Sequence, residues 1–265
     1  MILDLVLTNI NYLGVDTMKL KKLNLTAAAL AVSVAMGSSL ATTESAQAEM
    51  SYNIGVHSKY LLRGIFEENT GTAVQGGADY SDGGFYAGWW FSSLSYNYEA
   101  PADTKTDVTG FENDFYAGYA GSITDTIGYD VGLIQYVYVN VDDSDLLEAT
   151  GTMTFGDFYV GLQYLLSDGW WGNAGDIYWK AGWGTEVGGG VNLALDYGYY
   201  TYEDDDNSEL GTATTSTSGF RHLNVTASKE VMKGVDAYVQ YTFAGEDRAG
   251  VEYNDSMVAG ITYGF

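Results

Sequence analysis

His57 and His222 are the only imidazoles in the 265 residues, and there is no Cys. A Ser/His/Asp hydrolase needs one of them beside a nucleophile and an orienting carboxylate. No G-x-S-x-G accompanies either. Neither a Walker motif nor G-x-G-x-x-G occurs, and Gly188-Gly189-Gly190 reads as a turn. Without thiols there is no disulfide framework, thiolate metal site or lipid-anchored cysteine. The acidic run Glu203-Asp204-Asp205-Asp206-Asn207 lacks the spaced ligands, glycine and closing Glu of a calcium loop. It reads as a solvated negative loop, as do Asp142, Asp143 and Asp145, with loose cation binding as the alternative. No catalytic residue, cofactor or metal is expected.

Charged residues at every second position are more informative. If Ile54 and Val56 face outward, then Asn53, Gly55, His57, Lys59, Leu61 and Arg63 share the inward face of one strand. That puts three basic side chains together, although only eight Lys and Arg (11 minus 3) lie beyond the N-terminal basic cluster Lys19, Lys21 and Lys22. Lys180 and His222 fall on inward faces of later strands. Inward carboxylates come from Asp79, Asp114, Glu148, Asp157, Asp176, Asp196 and Asp236. A basic stripe facing acids across a lumen sets up a transverse field that orients polar solutes. These twelve residues are therefore expected to line a pore. The alternative is that the charges pair and brace a narrow or plugged interior.

Such an arrangement needs a closed sheet. Gly, Asn, Asp and Ser punctuation divides the chain into about twelve strand-like segments: 51–63, 72–80, 84–96, 112–120, 126–139, 147–155, 157–166, 175–184, 190–202, 220–230, 234–244 and 256–265. Most have the roughly 9–13 residues of a tilted membrane strand, against about 5–6 for soluble ones. Val191, Leu193, Leu195, Tyr197 and Tyr199 oppose Asn192, Ala194, Asp196 and Gly198. Val235, Ala237, Val239, Tyr241 and Phe243 oppose Asp236, Tyr238, Gln240 and Thr242. Two segments are less clean: Asp130 and Gln135 lie on opposite faces of 126–139, and Trp89-Trp90-Phe91 blurs 84–96. Short turns alternate with longer polar connections at 64–71, 97–111, 140–146, 167–174, 203–219 and 245–255, the layout of an antiparallel transmembrane β-barrel with short periplasmic turns and longer extracellular loops.

Composition agrees. A net charge of −24 excludes a nucleic-acid binder. Mean hydropathy is −0.09 while 15% of residues are aromatic, which suits a sheet with two different solvents. A soluble sandwich or lipocalin-like barrel would turn its apolar face inward. Here the polar face is rich in Gly, Asp, Thr and Asn, a poor filling for a dry core. Met18-Lys-Leu-Lys-Lys, the apolar stretch Ala27–Met36 and Ala46-Gln47-Ala48 read as a cleavable export signal. We therefore expect an upstream extension at 1–17, a signal peptide at 18–48 and one outer-membrane barrel at 49–265. The last strand, Met257 to Phe265, alternates up to a terminal aromatic. It is the expected contact for the barrel-assembly machinery, and membrane lipids are the expected partner of the outer face.

Three stretches carry a resemblance: Ile54-Gly-Val-His-Ser-Lys-Tyr-Leu-Leu-Arg-Gly-Ile65, Val74-Gln-Gly-Gly-Ala-Asp-Tyr80 with Gly84-Phe-Tyr-Ala-Gly-Trp89, and Glu112-Asn-Asp-Phe-Tyr-Ala-Gly-Tyr119. Together they resemble the TorF-type porins of proteobacterial outer membranes. In the first stretch Ser58-Lys59 stands where an acidic residue commonly precedes the tyrosine. The resemblance implies a barrel in Gram-negative bacteria and a porin role, with no established substrate and no catalytic residues. From the residues themselves, the expected function is passive diffusion of small hydrophilic solutes, with cations or zwitterions preferred because inward carboxylates are in excess. Two rivals stand beside it: a structural or adhesive barrel without an open pore, and a lipid-modifying outer-membrane enzyme dependent on His57 or His222.

Overall fold

The structure, a computed structural model, describes residues 48–96, 109–204 and 209–265. The expected extension 1–17, the signal segment up to residue 47 and most of the connection 97–111 lie outside the described residues, as do Asp205 and Asp206 of the acidic run.

Twelve antiparallel strands close into a barrel in chain order: β1 (Glu49–His57), β4 (Ala73–Asp82), β5 (Phe85–Ser93), β6 (Phe111–Ser122), β7 (Ile127–Val139), β8 (Leu146–Phe155), β9 (Phe158–Leu165), β10 (Ile177–Gly188), β11 (Val191–Thr201), β12 (Ser218–Met232), β13 (Val235–Ala244) and β14 (Ser256–Gly264). β2 (Tyr60–Leu62) and β3 (Phe66–Asn69) form a separate two-stranded hairpin. The seam pairs β1 with β14, Ile54 opposite Tyr263 and Val56 opposite Ile261. Two 3.0 Å backbone bonds between Tyr52 and Phe265 complete it. With no free edge, every strand spends its backbone donors and acceptors on neighbours, which a sheet in hydrocarbon requires. The Gly189-Gly190 turn uses φ of +65° and +73° at both central positions, the geometry that matches strand twist in a two-residue hairpin.

Alternation sets the two faces. Outward side chains include Ile54, Phe115, Leu133, Phe158, Val160 and Val239, of which Phe115 is 50% and Phe158 58% exposed. Monomeric soluble proteins do not leave a continuous apolar band of this kind in water, whereas a membrane barrel needs one. Trp89 and Trp179 sit on this face with their indole N–H groups bonded to Asn113 and Thr201. The ambiguous strands resolve. In β7 Asp130 is buried inside, while Gln135 faces out and satisfies its amide on the carbonyls of Tyr136 and Leu146. In β5 Trp90 turns inward between outward Trp89 and Phe91.

The expected course of the first strand is overturned. The first strand stops at His57 instead of running to Arg63, and the stretch expected as an outer loop, 64–71, belongs largely to the β2–β3 hairpin, which folds into the barrel at its long-loop end. Burial explains the exchange. Tyr60, Leu62 and Ile65 lie buried, and Tyr60 and Leu62 pack with Trp90, Ile134, Tyr136, Leu146 and Leu165 of the wall, so this half of the lumen has a dry core. At roughly 1.5–3 kcal/mol for each large apolar side chain removed from water, folding inward is strongly favoured over leaving the segment as an exposed loop.

Candidate functional site

Away from the hairpin, the inward face is lined by small and polar residues, and its carboxylates are held mainly by tyrosines. Tyr116 donates to Asp79, Tyr86 to Asp130 at 3.0 Å and Tyr159 to Asp196. Near the hairpin, Tyr60 donates to Glu112 at 3.2 Å and Tyr136 to Glu148 at 2.8 Å. A hydroxyl donor satisfies a carboxylate oxygen without cancelling its charge, in contrast to an ion pair. Gly88, Gly118 and Gly182 make room for these rings: a Cβ there would meet Tyr116, Tyr86 and Tyr159 within 2.5 Å. Glycine on the inner face is thus packed against the tyrosines that hold the acids.

The hairpin delivers Arg63 to the opposite wall. Its guanidinium lies 2.6 Å from both oxygens of Glu148 and donates to Tyr200. It also sits over three rings: Tyr178 at 4.8 Å, with Trp171 and Tyr200 each at 5.5 Å. The backbone is bent to achieve this, with φ of +48° at Arg63 and +79° at Gly64. A Cβ at residue 64 would lie 2.4 Å from His222, so only glycine fits under that imidazole. Arg221 seats the tip from the other side, donating to the Arg63 carbonyl at 3.3 Å and lying over Phe66 and Tyr200.

The twelve expected lining residues fall in different places. His57, Asp79, Asp114, Glu148, Lys180, Asp196, His222 and Asp236 are on the inward face of barrel strands. Arg63 is inside the barrel, but on the hairpin and not on β1. Lys59 lies just past β1, where its ammonium donates to Ser256 at 3.0 Å. Asp157 is not inward: it occupies the exposed two-residue turn between β8 and β9, because Gly156 (φ +60°) reverses the chain there. Asp176 precedes β10 and is buried in an ion pair with Arg248. Burial pushes its carboxyl above the usual carboxylate range, and Arg248 acts against that shift. The basic stripe on strand one therefore does not exist as expected; its members divide among wall, rim and hairpin.

Each histidine bonds a tyrosine: His57 with Tyr238 at 2.9 Å and His222 with Tyr178 at 2.8 Å. Neither bond builds a nucleophile–base–carboxylate relay. Sequence reasoning missed Glu68, Glu112, Arg221 and Arg248. Glu112 sits two residues before Asp114 on the same face of β6, so period 2 could have found it. Arg221 could not be found that way. The register slips between Gly198 and Tyr199, and this bulge turns both Arg221 and His222 inward.

Residues 41–263 match the family model described as "Bacterial protein of unknown function (Gcw_chp)", and the chain belongs to that family. The model does not carry the TorF designation, which stays a resemblance of residues 54–119. No curated protein matches the sequence. Among solved structures, the chain is similar to the KdgM porin, with TM-score 0.53, 10% identity, and coverage of 81% of this chain and 99% of that one. It is also similar to the NanC porin, with TM-score 0.49, 13% identity, and coverage of 81% and 99%. At such identity the likeness to KdgM speaks for the fold, a closed twelve-stranded barrel of the outer-membrane porin type.

Proposed function

We propose that this member of the Gcw_chp family is an outer-membrane channel for passive diffusion of small hydrophilic solutes, with cations or zwitterions preferred over anions. One observation carries the reading: a closed barrel with an apolar outer band keeps Asp79, Asp130 and Asp196 on its inner face, each held by a tyrosine hydroxyl and, among the described residues, by no ion pair. Fixed negative charge inside a low-dielectric wall raises the local concentration of cations and repels anions. About twelve strands leave less room than a 16-stranded porin, and the hairpin narrows the long-loop half further. Outer-membrane lipids cover the band, and the short-turn end faces the periplasm.

The experiment is planar-bilayer recording of the purified protein in a salt gradient, with reversal potential as readout. A potential on the cation-selective side supports the proposal, and anion selectivity rejects the preference. The packed hairpin favours a second reading, a closed barrel whose interior is braced. Under it, neither the wild type nor a variant with residues 60–69 replaced by a short Gly/Ser linker conducts. Under the channel reading, the linker variant conducts more than the wild type.

A further inference from the structure

We infer that the barrel wall carries a binding box for an organic cation, a guanidinium or primary ammonium group, and that Arg63 occupies it as a tethered stand-in for that solute. The inference deepens the channel reading and rests on it for the solute's route to the box.

Every member of the box belongs to the wall or to the β9–β10 connection, and none to the hairpin. Glu148 of β8 supplies the carboxylate that contacts the guanidinium, with 1% side-chain exposure, and buried Asp114 of β6 adds a second acidic group near the pair. Tyr136 of β7 donates to that carboxylate at 2.8 Å, so the wall orients Glu148 without help from Arg63. Tyr178 and Tyr200 face each other across the β10–β11 ladder with ring centroids 5.3 Å apart, and Trp171 closes the remaining side. A structural ion pair needs only the carboxylate. A carboxylate inside a cage of electron-rich rings is the arrangement that recognises an organic cation.

The way Arg63 enters supports this division between box and occupant. It arrives on a two-stranded hairpin outside the barrel ladder, through a left-handed backbone that non-glycine residues rarely adopt. Its terminal nitrogens make the contacts to Glu148, Tyr200 and Tyr136, while Nε has no partner. The wall therefore reads the end of the group and not its stem. Such a box accepts a guanidinium or ammonium on an alkyl chain arriving from the lumen once the hairpin is displaced.

The test uses methylguanidinium as probe and neutral methylurea as its isostere, on the full barrel in detergent, with Trp171 fluorescence as readout and a Trp171→Phe control to assign the signal. Arg63→Ala empties the box, and Arg63→Gln serves beside it with a polar side chain but no charge. Heat-modifiable gel mobility verifies that each barrel is closed. The expected result is saturable binding of methylguanidinium to both variants at least tenfold tighter than to the wild type. Methylurea should not bind, and adding Glu148→Gln should abolish binding. Closed barrels of both variants that bind methylguanidinium no better than methylurea overturn the box. Bilayer recordings on the same samples separate the two proposals: binding without conductance keeps the box and rejects the channel, and conductance without binding does the reverse.

Discussion

Glu148→Gln is the sharpest perturbation of the lumen, because one atom changes while the shape is kept. In the wild type both Glu148 oxygens lie 2.6 Å from Arg63, with side-chain exposures of 3% and 1% for Arg63 and Glu148, so solvent screening is small. Removing one partner of a buried pair leaves an uncompensated charge and costs about 3–5 kcal/mol. The lower end applies here, because glutamine still offers an acceptor and the three rings under Arg63 remain. About 3 kcal/mol, at 1.4 kcal/mol per decade, shifts the seated-to-displaced ratio of the hairpin by roughly a hundredfold. Hydrogen exchange reads this directly. The Ser95 amide is bonded to the Glu68 carbonyl of the hairpin at 3.0 Å, and the β2–β3 amides are protected only while the hairpin holds. These should exchange about a hundredfold faster in the variant, while β6 and β7 amides keep their protection. Unchanged exchange at Ser95 and in 60–69 would refute the claim that the pair holds the hairpin in place.

Three further outcomes follow from the same geometry. Gly64→Ala puts a methyl group 2.4 Å from His222 at a φ of +79°, so it should expose 58–72 to protease while leaving the barrel's heat-modifiable mobility intact. Phe265→Ala removes a ring stacked against Tyr52 at 5.7 Å and Tyr263 at 5.3 Å beside the closing seam; assembly into lipid vesicles should slow, measured as the fraction of heat-modifiable barrel against time. Leu133→Arg sets a charge at the centre of β7 on the outward face, which costs about 2–4 kcal/mol at the bilayer midplane; a urea titration in vesicles should show the loss, whereas Thr150→Arg on the inward face should not.

Most of the barrel was legible because both of its solvents leave a mark at period 2. Leu195 against Asp196, or Val239 against Gln240, assigns a face without any knowledge of neighbours. The reading failed where alternation continued past the point at which the backbone changes course. Lys59, Leu61 and Arg63 extend the inward rhythm of Asn53, Gly55 and His57, and neither proline nor glycine interrupts them before Gly64. The stop at His57 is a tertiary effect: the Ser58 amide bonds the Ala259 carbonyl at 2.8 Å, and Tyr60 and Leu62, assigned to lipid by the same rhythm, find a core inside the barrel. Asp157 shows the opposite error at the other rim. A strand extended by one residue placed it in the lumen, while the tight turn at Gly156 gives it to solvent.

The tyrosines explain how so acidic a chain holds together around its own lumen. Among the described residues, ion pairs serve only two of the inward carboxylates, Glu148 with Arg63 and Asp176 with Arg248. Left with no donor, a buried carboxylate would be destabilising. A tyrosine reaching across one intervening strand supplies a donor, brings apolar ring surface for packing, and adds no positive charge. Asp79 with Tyr116, Asp130 with Tyr86 and Asp196 with Tyr159 follow this rule, and glycines opposite the rings clear the space they need. The arginines gather in the long-loop half: Arg63 and Arg221 around the hairpin tip, Arg248 against Asp176 at the rim. Glu148 and Asp176 are thus paired with arginine in the long-loop half, whereas Glu112 beside the hairpin and Asp79, Asp130 and Asp196 along the wall are held by tyrosine hydroxyls, a division that pairing all the acids with bases would have erased.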